Sequence, residues 1–529
     1  VINETEEQKT VSIGAAINEK GGAVVDSIAA QSFQAAPGEN TFTIKGKVKN
    51  FKLWDTENPN LYEVNATLSS DSGRHSYEPF HIGFRHIEIK DGYYYLNGER
   101  FFLKMVHQNA YDPLIIQGTP RDLTYQTKAL DNLKETGFNT FRTIGMAGLP
   151  AQLDYADEIG LLIYEESSQS WLGKNAWINE VQDELIIRDR NHPSIIVWGL
   201  LNEIVYAGDN RLDITRDYLT RLRTLDMTRP VAWNSGSFDY NSLCSHMSNS
   251  YSTTWDIYMG NESETLEQNG YYDGSLADTT IDSSKGYVGD LHFYPVYPLQ
   301  KSSLEYLKTI GEGVNPVSIT EAGTGSMFNP YNERDKTIAA GGDTSSFGMQ
   351  KWVYPLIDGL DYFFNKYPTL SKLYDEPRNI IDDSDAINLR QRQILISYIR
   401  ANPQVNGYGL TSLSDAQGLG EGVMDNFRDW KQGYDDMLKE AWAPLRWCIL
   451  LNNENSNVKK GEYAEFEVDI ANEDVLQAGE YTAVFEILDK SGKAVYQSED
   501  ITFSVEDGES APLAYEVWKG KVLIDFPEG

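Results

Sequence analysis

The sequence is poor in cysteine and in positive charge. Its two cysteines, Cys244 and Cys448, have no CxxC spacing, so it predicts neither a disulfide framework nor a zinc site. The 45 lysine and arginine residues are outnumbered by 79 aspartate and glutamate residues, which gives a formal net charge of −34. A chain of this charge repels a phosphate backbone and an anionic membrane surface. We therefore expect neither nucleic acid nor a membrane as a partner, and we expect no cofactor and no metal.

Long apolar runs are also lacking. The sequence has no run of 18 apolar residues, and its first 30 residues lack the basic start and apolar segment of a signal peptide. Any export signal is expected to have been removed or to have lain upstream. The chain does have 529 residues, 40% of them hydrophobic, which is the length of about three domains with a core each.

Both ends of the sequence alternate short β-type runs with turns. The runs "TFTIKGKV", "LYEVNATLS" and "HIGFRHIEIKDG" predict a small antiparallel sandwich over residues 1–91. The runs "AEFEVDIANEDV" and "YTAVFEILDKSG" have the same texture and predict a second sandwich over residues 451–529.

Residues 92–450 instead alternate helical segments with short apolar runs. In "RDLTYQTKALDNLKETG" the leucines fall on one helical face and the segment stops at Gly137. Strands that alternate with helices at this spacing predict parallel strands covered on both sides. The eight strand candidates predict a (β/α)8 TIM barrel; they are "RFFLKMVHQN", "FNTFRT", "LLIYEESS", "SIIVWGLLNE", "PVAWNSG", "GDLHFYP", "NPVSITEAG" and "NGYGLTSLSDA".

Two of these strands end in a glutamate. Glu203 closes "SIIVWGLLNE", and Glu321 follows "NPVSIT" directly. Active sites of β/α barrels lie at the carboxyl ends of the strands, so both carboxylates are expected to face one pocket. Cleavage of a glycosidic bond needs such a pair, one as proton donor and the other as nucleophile or water activator. The alternative is that each glutamate caps the following helix or pairs with an arginine.

The same segments resemble glycoside hydrolase family 2, the family of β-galactosidases, β-glucuronidases and β-mannosidases. "RNHPSIIVWGLLNE" resembles its acid/base segment and "SITEAG" its nucleophile segment. "LWDTENPNLYEVNATL" and "GFRHIEIKDGYYYLNGERFFLKMV" are similar to its passage from an immunoglobulin-like domain into the barrel. The resemblance implies that residues 1–91 are immunoglobulin-like. It also implies that a jelly-roll domain precedes them or has been lost.

The resemblance further implies a retaining mechanism. Glu203 would be the general acid/base and Glu321 the nucleophile, with their carboxyls roughly 5 Å apart. Asn202 would hydrogen-bond the sugar 2-hydroxyl, Arg142 would keep Glu321 ionised, and Tyr294 would hydrogen-bond the nucleophile. The alternatives are a structural ion pair for Arg142 and a core position for Tyr294.

The chain departs from the family pattern after the first, second and eighth strands. Asn109 stands where the family usually has a histidine, and Thr411 stands about where a tryptophan platform is expected. We expect polar residues of these segments, chiefly Asn109 and Asp415, to read sugar hydroxyls. No Asn-x-Lys signature of glucuronate recognition is seen near "FNPYNERDK", which disfavours a uronide.

The leading hypothesis is therefore a retaining exo-β-glycosidase for a terminal neutral sugar, most similar to a β-galactosidase. The alternatives are an endo-acting β-glycanase of the same barrel type, a β-glucuronidase and, least favoured, a non-catalytic carbohydrate-binding protein. The acidic, aromatic-rich composition favours a secreted or periplasmic location over a cytoplasmic one. The sequence leaves a homo-oligomer open.

Overall fold

The computed structural model describes most of the chain: residues 1–107, 114, 123–167, 178–203, 210–236, 247–255, 290–295, 298–312, 316–415, 418–453, 458–506, 508 and 511–525. Within these residues the order of elements is a group of antiparallel strands, a parallel sheet with helices, and a second antiparallel group. None of the described helices has an apolar stretch of the length needed to span a bilayer.

The amino-terminal strands form one antiparallel sheet, in which β3, β2, β5 and β6 lie in this order and β7 pairs with β5. The short strands β1 and β4 pair separately. The strands are β1 (Ile2–Asn3), β2 (Lys9–Glu19), β3 (Val24–Ala35), β4 (Gly38–Glu39), β5 (Tyr62–Ser70), β6 (Gly73–Ser76) and β7 (Phe80–Ile82).

The prediction of a strand at "TFTIKGKV" is wrong, because residues 41–48 have no strand pairing. The segment packs on the side chains of β3 instead of joining its ladder. The ring of Phe42 stacks on Phe33 with centroids 4.7 Å apart, and a Cβ on Gly46 would lie 2.8 Å from a side-chain carbon of Ile28. The β-branched residues of the segment suit a pleated sheet. The segment nevertheless packs against side chains of β3 without pairing with that strand.

A hairpin leads into the parallel sheet through β8 (Ile87–Lys90), β9 (Tyr93–Leu96) and β10 (Glu99–Phe101). Its turn at Asp91 and Gly92 has positive φ at both residues, as two-residue hairpin turns require. The hairpin packs against the amino ends of the parallel strands; the shared apolar cluster includes Ile87, Ile89, Tyr94, Leu103, Met105, Leu162 and Ile196.

Each of the eight predicted strands is present, and all eight run parallel. The hydrogen-bonded order is β15, β14, β13, β12, β11, β19, β18, β17, so the first strand pairs with the last, as in a β/α barrel. Among the described residues no ladder joins β15 to β17, and the short antiparallel β16 pairs with β15. The strands are β11 (Leu103–His107), β12 (Thr140–Thr143), β13 (Leu162–Glu166), β14 (Ile195–Asn202), β15 (Val231–Ser235), β16 (Met247–Ser248), β17 (Asp290–Phe293), β18 (Val317–Ala322) and β19 (Val405–Leu410).

Helices alternate with these strands. The predicted helix before Gly137 is α1, whose Leu130 and Leu133 are fully buried. A π-helical turn at Met349–Val353 precedes α7. The helices are α1 (Thr124–Glu135), α2 (Pro150–Ile159), α3 (Ile178–Asp189), α4 (Asn210–Leu225), α5 (Lys301–Thr309), α6 (Pro330–Ala339), α7 (Tyr354–Lys366), α8 (Leu370–Leu373), α9 (Arg378–Arg400) and α10 (Tyr434–Ala441).

The carboxy-terminal strands are antiparallel and enclose a small core of Ile470, Phe503, Val505 and Val517. Strands β20, β21 and β26 form one sheet, while β22 pairs with β25 and β23 with β24. The expected boundary at residue 450 falls inside β20, which pairs with β21 along its whole length. The strands are β20 (Leu445–Leu451), β21 (Tyr463–Asn472), β22 (Gly479–Ala483), β23 (Glu486–Leu488), β24 (Ala494–Gln497), β25 (Ile501–Val505) and β26 (Ala514–Leu523).

Candidate active site

Glu203 lies directly after β14, at the carboxyl end of the parallel strands. It has a left-handed backbone conformation with φ of +53°, which costs a residue other than glycine roughly 1 kcal/mol. Its N–H donates to the carbonyl of Ser235 at 2.9 Å, so the neighbouring strand fixes this conformation. The side chain is 17% exposed, and its Oε1 lies 2.6 Å from Nδ1 of His292.

Glu321 lies within β18, where four polar side chains surround its nearly buried carboxylate. Oε1 is 3.2 Å from a guanidinium nitrogen of Arg142 and 3.3 Å from Nε2 of His292. Oε2 accepts a hydrogen bond from the Tyr294 hydroxyl at 2.5 Å and lies 3.7 Å from Nε2 of His107. These partners come from the carboxyl ends of three strands: His107 from β11, Arg142 from β12, and His292 and Tyr294 from β17 and the residue after it.

His292 therefore stands between the two glutamates and contacts both. One carboxylate oxygen of Glu203, one of Glu321 and a ring nitrogen of His292 lie within 4.8 Å of one another. Such a set could also hold a metal ion, but the cation of Arg142 already lies against Glu321. The structure thus brings the predicted pair together on the two sides of one imidazole.

The surroundings of Glu321 keep it ionised. Burial alone would raise the pKa of its carboxyl, but the charges of His292 and Arg142 and the hydrogen bond from Tyr294 hold that pKa at about 2. Burial lowers the pKa of His107 to about 4, so this imidazole is neutral near pH 7. Burial opposes the charged form of His292 too, but Glu321 and Glu203 raise its pKa overall.

Arg142, which contacts Glu321, also connects it to Glu166 and Asn202. Its Nε donates to Oε1 of Glu166 at 2.6 Å, and Nη2 donates to Oδ1 of Asn202 at 2.7 Å. Oδ1 of Asn202 accepts from Arg142, so Nδ2 is the atom of this amide that can donate to another group. That buried Nδ2 has no hydrogen-bond partner within the described part of the chain. The site thus contains one buried donor available to a bound molecule.

Tyr294 and Thr411 complete the wall beside Glu321. The hydroxyl of Thr411 lies 2.7 Å from Nε2 of His107 and 3.1 Å from the Tyr294 hydroxyl. Tyr294 remains 46% exposed as a residue, although its hydroxyl reaches the buried carboxylate. Its ring therefore borders the open side of the site.

The described residues give no support to two predicted contacts with sugar hydroxyls, those of Asn109 and Asp415. Asn109 lies outside the described residues. Asp415 is 2% exposed, and its Oδ1 accepts from Nζ of Lys431 and from the N–H of Gly422, each at 2.9 Å. Its carboxylate is engaged by a lysine, which leaves the predicted contact with a sugar without structural support.

Comparison with known families matches both the strand-rich beginning of the chain and its parallel sheet. The model described as "Glycosyl hydrolases family 2, TIM barrel domain" matches residues 87–273. A model of "Glycosyl hydrolases family 2" matches residues 1–85. Together the two matches span about half of the chain. The chain belongs to glycosyl hydrolase family 2.

Relatives within family 2 carry different names. A putative β-glucuronidase of Formosa agariphila is 33% identical over 188 residues, which are 34% of this chain and 23% of that protein. A β-galactosidase of Thermoanaerobacterium thermosulfurigenes is 35% identical over 162 residues, which are 30% of this chain and 22% of that protein. The matches to these curated relatives thus span less than a quarter of their lengths.

A solved family 2 fold extends over nearly the whole chain. The crystal structure of a β-D-mannosidase from Dictyoglomus thermophilum aligns with 98% of this chain and 59% of its own, with a TM-score of 0.61 and 18% identity. This likeness concerns the fold alone.

Sequence analysis did not identify two residues of this family 2 site. Glu166 ends β13, and His292 lies within β17, two residues before Tyr294. Both residues belong to predicted strands. Ionisable residues near the carboxyl end of every predicted strand are therefore the signal that identifies them. Their contacts with Arg142 and with the glutamate pair depend on the register of neighbouring strands, which the sequence does not give.

Proposed function

We propose that the protein is a retaining exo-β-glycosidase that removes a terminal β-linked neutral sugar. The observation that carries this proposal is the approach of the Glu203 and Glu321 carboxylate oxygens to within 4.8 Å. Retaining glycosidases have carboxyls about 5 Å apart, whereas inverting enzymes leave room for a water between theirs. The chain also belongs to a family of glycoside hydrolases.

In the first step, Glu203 donates its proton to the glycosidic oxygen while Glu321 attacks the anomeric carbon. The bond from that carbon to the oxygen breaks, the alcohol leaves, and an ester forms between the sugar and Glu321. Arg142 and the Tyr294 hydroxyl keep Glu321 ionised and oriented. His292 holds the Glu203 carboxyl at hydrogen-bond distance.

In the second step, the ionised Glu203 takes a proton from a water molecule, which attacks the anomeric carbon and releases Glu321. Two displacements at the same carbon return the original β configuration. Nδ2 of Asn202 would donate to the sugar 2-hydroxyl, a contact that strengthens as positive charge develops at the anomeric carbon.

The proposal of a neutral sugar rests on the charges around the pair. Glu203, Glu321 and Glu166 are acidic, and the nearby guanidinium of Arg142 already contacts Glu166, Asn202 and Glu321. A carboxylate on the substrate would therefore be repelled by these acidic groups. Among the described groups that contact the pair there is no free cation to offset this repulsion. A β-glucuronidase remains the second candidate, because the relative from Formosa agariphila carries that name.

The fold and domain assignments belong to this proposal. We place the site in a closed (β/α)8 barrel over residues 92–450, between immunoglobulin-like sandwiches at 1–91 and 451–529. Support comes from the pairing of β11 with β19. The hairpin β8–β9 extends across the first boundary, and strand β20 extends across the second.

The test is a panel of aryl β-glycosides that includes galactoside, glucoside, mannoside, fucoside and glucuronide. We expect one neutral glycoside to be hydrolysed most efficiently, and proton NMR should detect the β-anomer of the sugar as the first product. An α-anomer would contradict the retaining mechanism. A preference for the glucuronide would replace the proposed substrate, and cleavage confined to internal bonds of a polysaccharide would indicate endo action.

The role of Glu321 has its own experiment. Glu321→Ala should abolish turnover, and added azide should restore it by attacking the anomeric carbon in place of the carboxylate, which yields the α-glycosyl azide. The matched control is Glu480→Ala, because Glu480 is exposed on β22, far along the chain. Full activity of Glu321→Ala without azide would remove this residue from the mechanism.

A further inference from the structure

A second cavity, of about 540 Å³, lies beside the parallel sheet. Its walls come from α6 and the two residues before it, from the first half of α9, and from the segment after β19. We call it the acidic cavity. Of the residues predicted for the catalytic site, only Asp415 lines it. It is therefore a different site from the one around Glu203 and Glu321.

The walls of the acidic cavity carry more carboxylates than ammonium groups. Lys336 pairs with Asp425 and Asp429, and Lys431 pairs with Asp415 at 2.9 Å and Asp385 at 3.3 Å. Two further carboxyls, of Glu333 and Asp382, also line the cavity. Neither takes part in an ion pair within the described residues. The lining thus holds six acidic groups against two lysines.

Glu333 is the acidic group with the least support from the protein. It is 1% exposed, and its Oε1 has no hydrogen-bond partner within the described ranges. Burial, together with the charges of Asp425 and Asp415, raises the pKa of this carboxyl to about 8, although the amide of Asn426 and the charge of Arg428 act in the opposite direction. Ionising a buried carboxyl with one unpaired oxygen is costly, and a cation in the cavity would reduce that cost.

We propose that the acidic cavity binds the protonated amino group of a small organic molecule. An ammonium donates three hydrogen bonds to oxygens that need not converge on one point. A calcium ion needs six to eight oxygens at about 2.3–2.6 Å. No three acidic residues of this cavity place an oxygen each within 4.8 Å of one another, as far as the chain is described.

The remaining walls suit an organic cation. Trp430 and Phe328 line the cavity beside the carboxyls, and an aromatic face attracts a cation or covers the apolar part of its carrier. The amides of Asn329 and Asn332 also line it. An amino sugar and a short alkyl diamine both fit this chemistry, and the experiment separates them. The inference does not depend on the proposed glycosidase activity.

The experiment is isothermal titration of the full chain at pH 7 with glucosamine and with putrescine. N-acetylglucosamine is the neutral control for the first, and calcium chloride tests for a metal site. We expect at least one amine to bind, and we expect no binding of N-acetylglucosamine. Binding of both amines would identify a general ammonium site, and binding of glucosamine alone would identify an amino sugar site.

Glu333→Gln ties the binding to this cavity. Glutamine has nearly the shape of the protonated carboxyl, so the variant should fold, and we expect amine affinity to fall at least tenfold. Glu480→Gln removes the same charge from an exposed position on β22 and should bind as the wild type does. Asp382→Asn is a second variant at the cavity and should weaken binding at least threefold.

Proton release provides an independent measurement. At pH 7 the Glu333 carboxyl is expected to be protonated in the free protein, so an ammonium that ionises it should release about one proton. Titrations in two buffers of different ionisation enthalpy measure this number. The proposal is overturned if neither amine binds, if N-acetylglucosamine binds as tightly, or if calcium binds in place of the amines. It is equally overturned if Glu333→Gln and Asp382→Asn leave the affinity unchanged.

Discussion

At the scale of single residues, Asn202 offers the sharpest test of substrate recognition. Its Oδ1 is held by Arg142, and its buried Nδ2 lacks a partner in the described structure. Asn202→Asp keeps the acceptor but removes the donor. We expect it to lower kcat/KM at least about 100-fold, or roughly 3 kcal/mol, since contacts to the 2-hydroxyl strengthen in the transition state.

A 2-deoxy glycoside is the matching control for Asn202, because it has no 2-hydroxyl to accept the bond. The wild type and Asn202→Asp should hydrolyse this substrate at rates within a few-fold of each other. An equally large loss on the 2-deoxy substrate would mean that Asn202 acts by holding Arg142 rather than by contacting the sugar.

His292 is a positioning residue whose effect should depend on the leaving group. It lies 2.6 Å from Glu203, the proposed proton donor, and proton donation typically contributes on the order of 100-fold or more. His292→Ala should therefore slow hydrolysis strongly for alkyl leaving groups and much less for an activated nitrophenolate. Glycosylation rates from single turnovers provide the measurement. Losses of the same size across the leaving-group series would show that His292 serves Glu321 or the fold instead.

The sequence allowed part of this site to be predicted, for a physical reason. Glu203 and Glu321 end apolar strands, and a carboxylate in that position is a local signal. His292 also lies near a strand end, but its role depends on contact with two glutamates that are 89 and 29 positions away in the chain. Asp415 was predicted to face the sugar, but Lys431 attracts its carboxylate into the acidic cavity. Contacts between distant segments decided each of these differences.

At the scale of elements, the end of β15 makes room for the imidazole. Gly236 follows this strand with φ of +68°, and a Cβ there would lie 2.3 Å from His292 ring atoms. Gly236→Ala should displace the ring from both glutamates. We expect kcat/KM to fall at least tenfold, with a loss of unfolding free energy of about 1–3 kcal/mol from strain and overpacking.

Gly341 provides the matched control for Gly236. It has nearly the same φ of +69°, but an added Cβ would meet no atom within 4 Å. Gly341→Ala should therefore show the backbone strain alone, as a small decrease in Tm, with unchanged kcat/KM. Equal activity of the two variants would show that the position of His292 is not set by Gly236.

The elements themselves were predicted more reliably where burial is continuous. All eight parallel strands are buried along nearly their whole length, and the structure contains each of them. The long amino-terminal strands β2 and β3 were not predicted, because they are rich in alanine, serine and glutamine. These residues have little strand propensity. The backbone hydrogen bonds of β2 with both β3 and β5 stabilise the strands instead.

At the scale of the whole molecule, buried acidic groups make stability depend on pH. Burial raises the pKa of Glu333 to about 8 and that of Asp415 to about 7. Such groups stay protonated in the folded chain, while the unfolded chain releases their protons above about pH 4. Their stabilising effect is complete below that pH and is lost as pH rises through the folded-state pKa values.

We therefore expect the Tm to fall as the pH rises from 5 to 8. Each such group costs about 1.4 kcal/mol per pH unit between about pH 5 and its folded-state pKa, which is about 7 for Asp415 and about 8 for Glu333. Glu333→Gln should flatten the decline, because glutamine does not titrate, and Glu480→Gln should leave it unchanged. Thermal unfolding followed by calorimetry at unit steps of pH provides the measurement. A decline of the same slope in Glu333→Gln would assign it to other groups.

The seam between β15 and β17, where the described residues form no ladder, affects how the two glutamates are held. The other neighbouring parallel strands are joined by backbone hydrogen bonds along their ladders. Between β15 and β17 the described contacts instead involve side chains. The N–H of Gly236 donates to Asp290 at 3.2 Å, and the Ser235 hydroxyl lies 3.3 Å from His292. Glu203 follows β14, the strand beyond β15 on one side of this seam, and Glu321 lies on β18, the strand beyond β17 on the other. We therefore expect substitutions of these side chains to change the spacing of the two carboxylates while the strand pairing stays as it is.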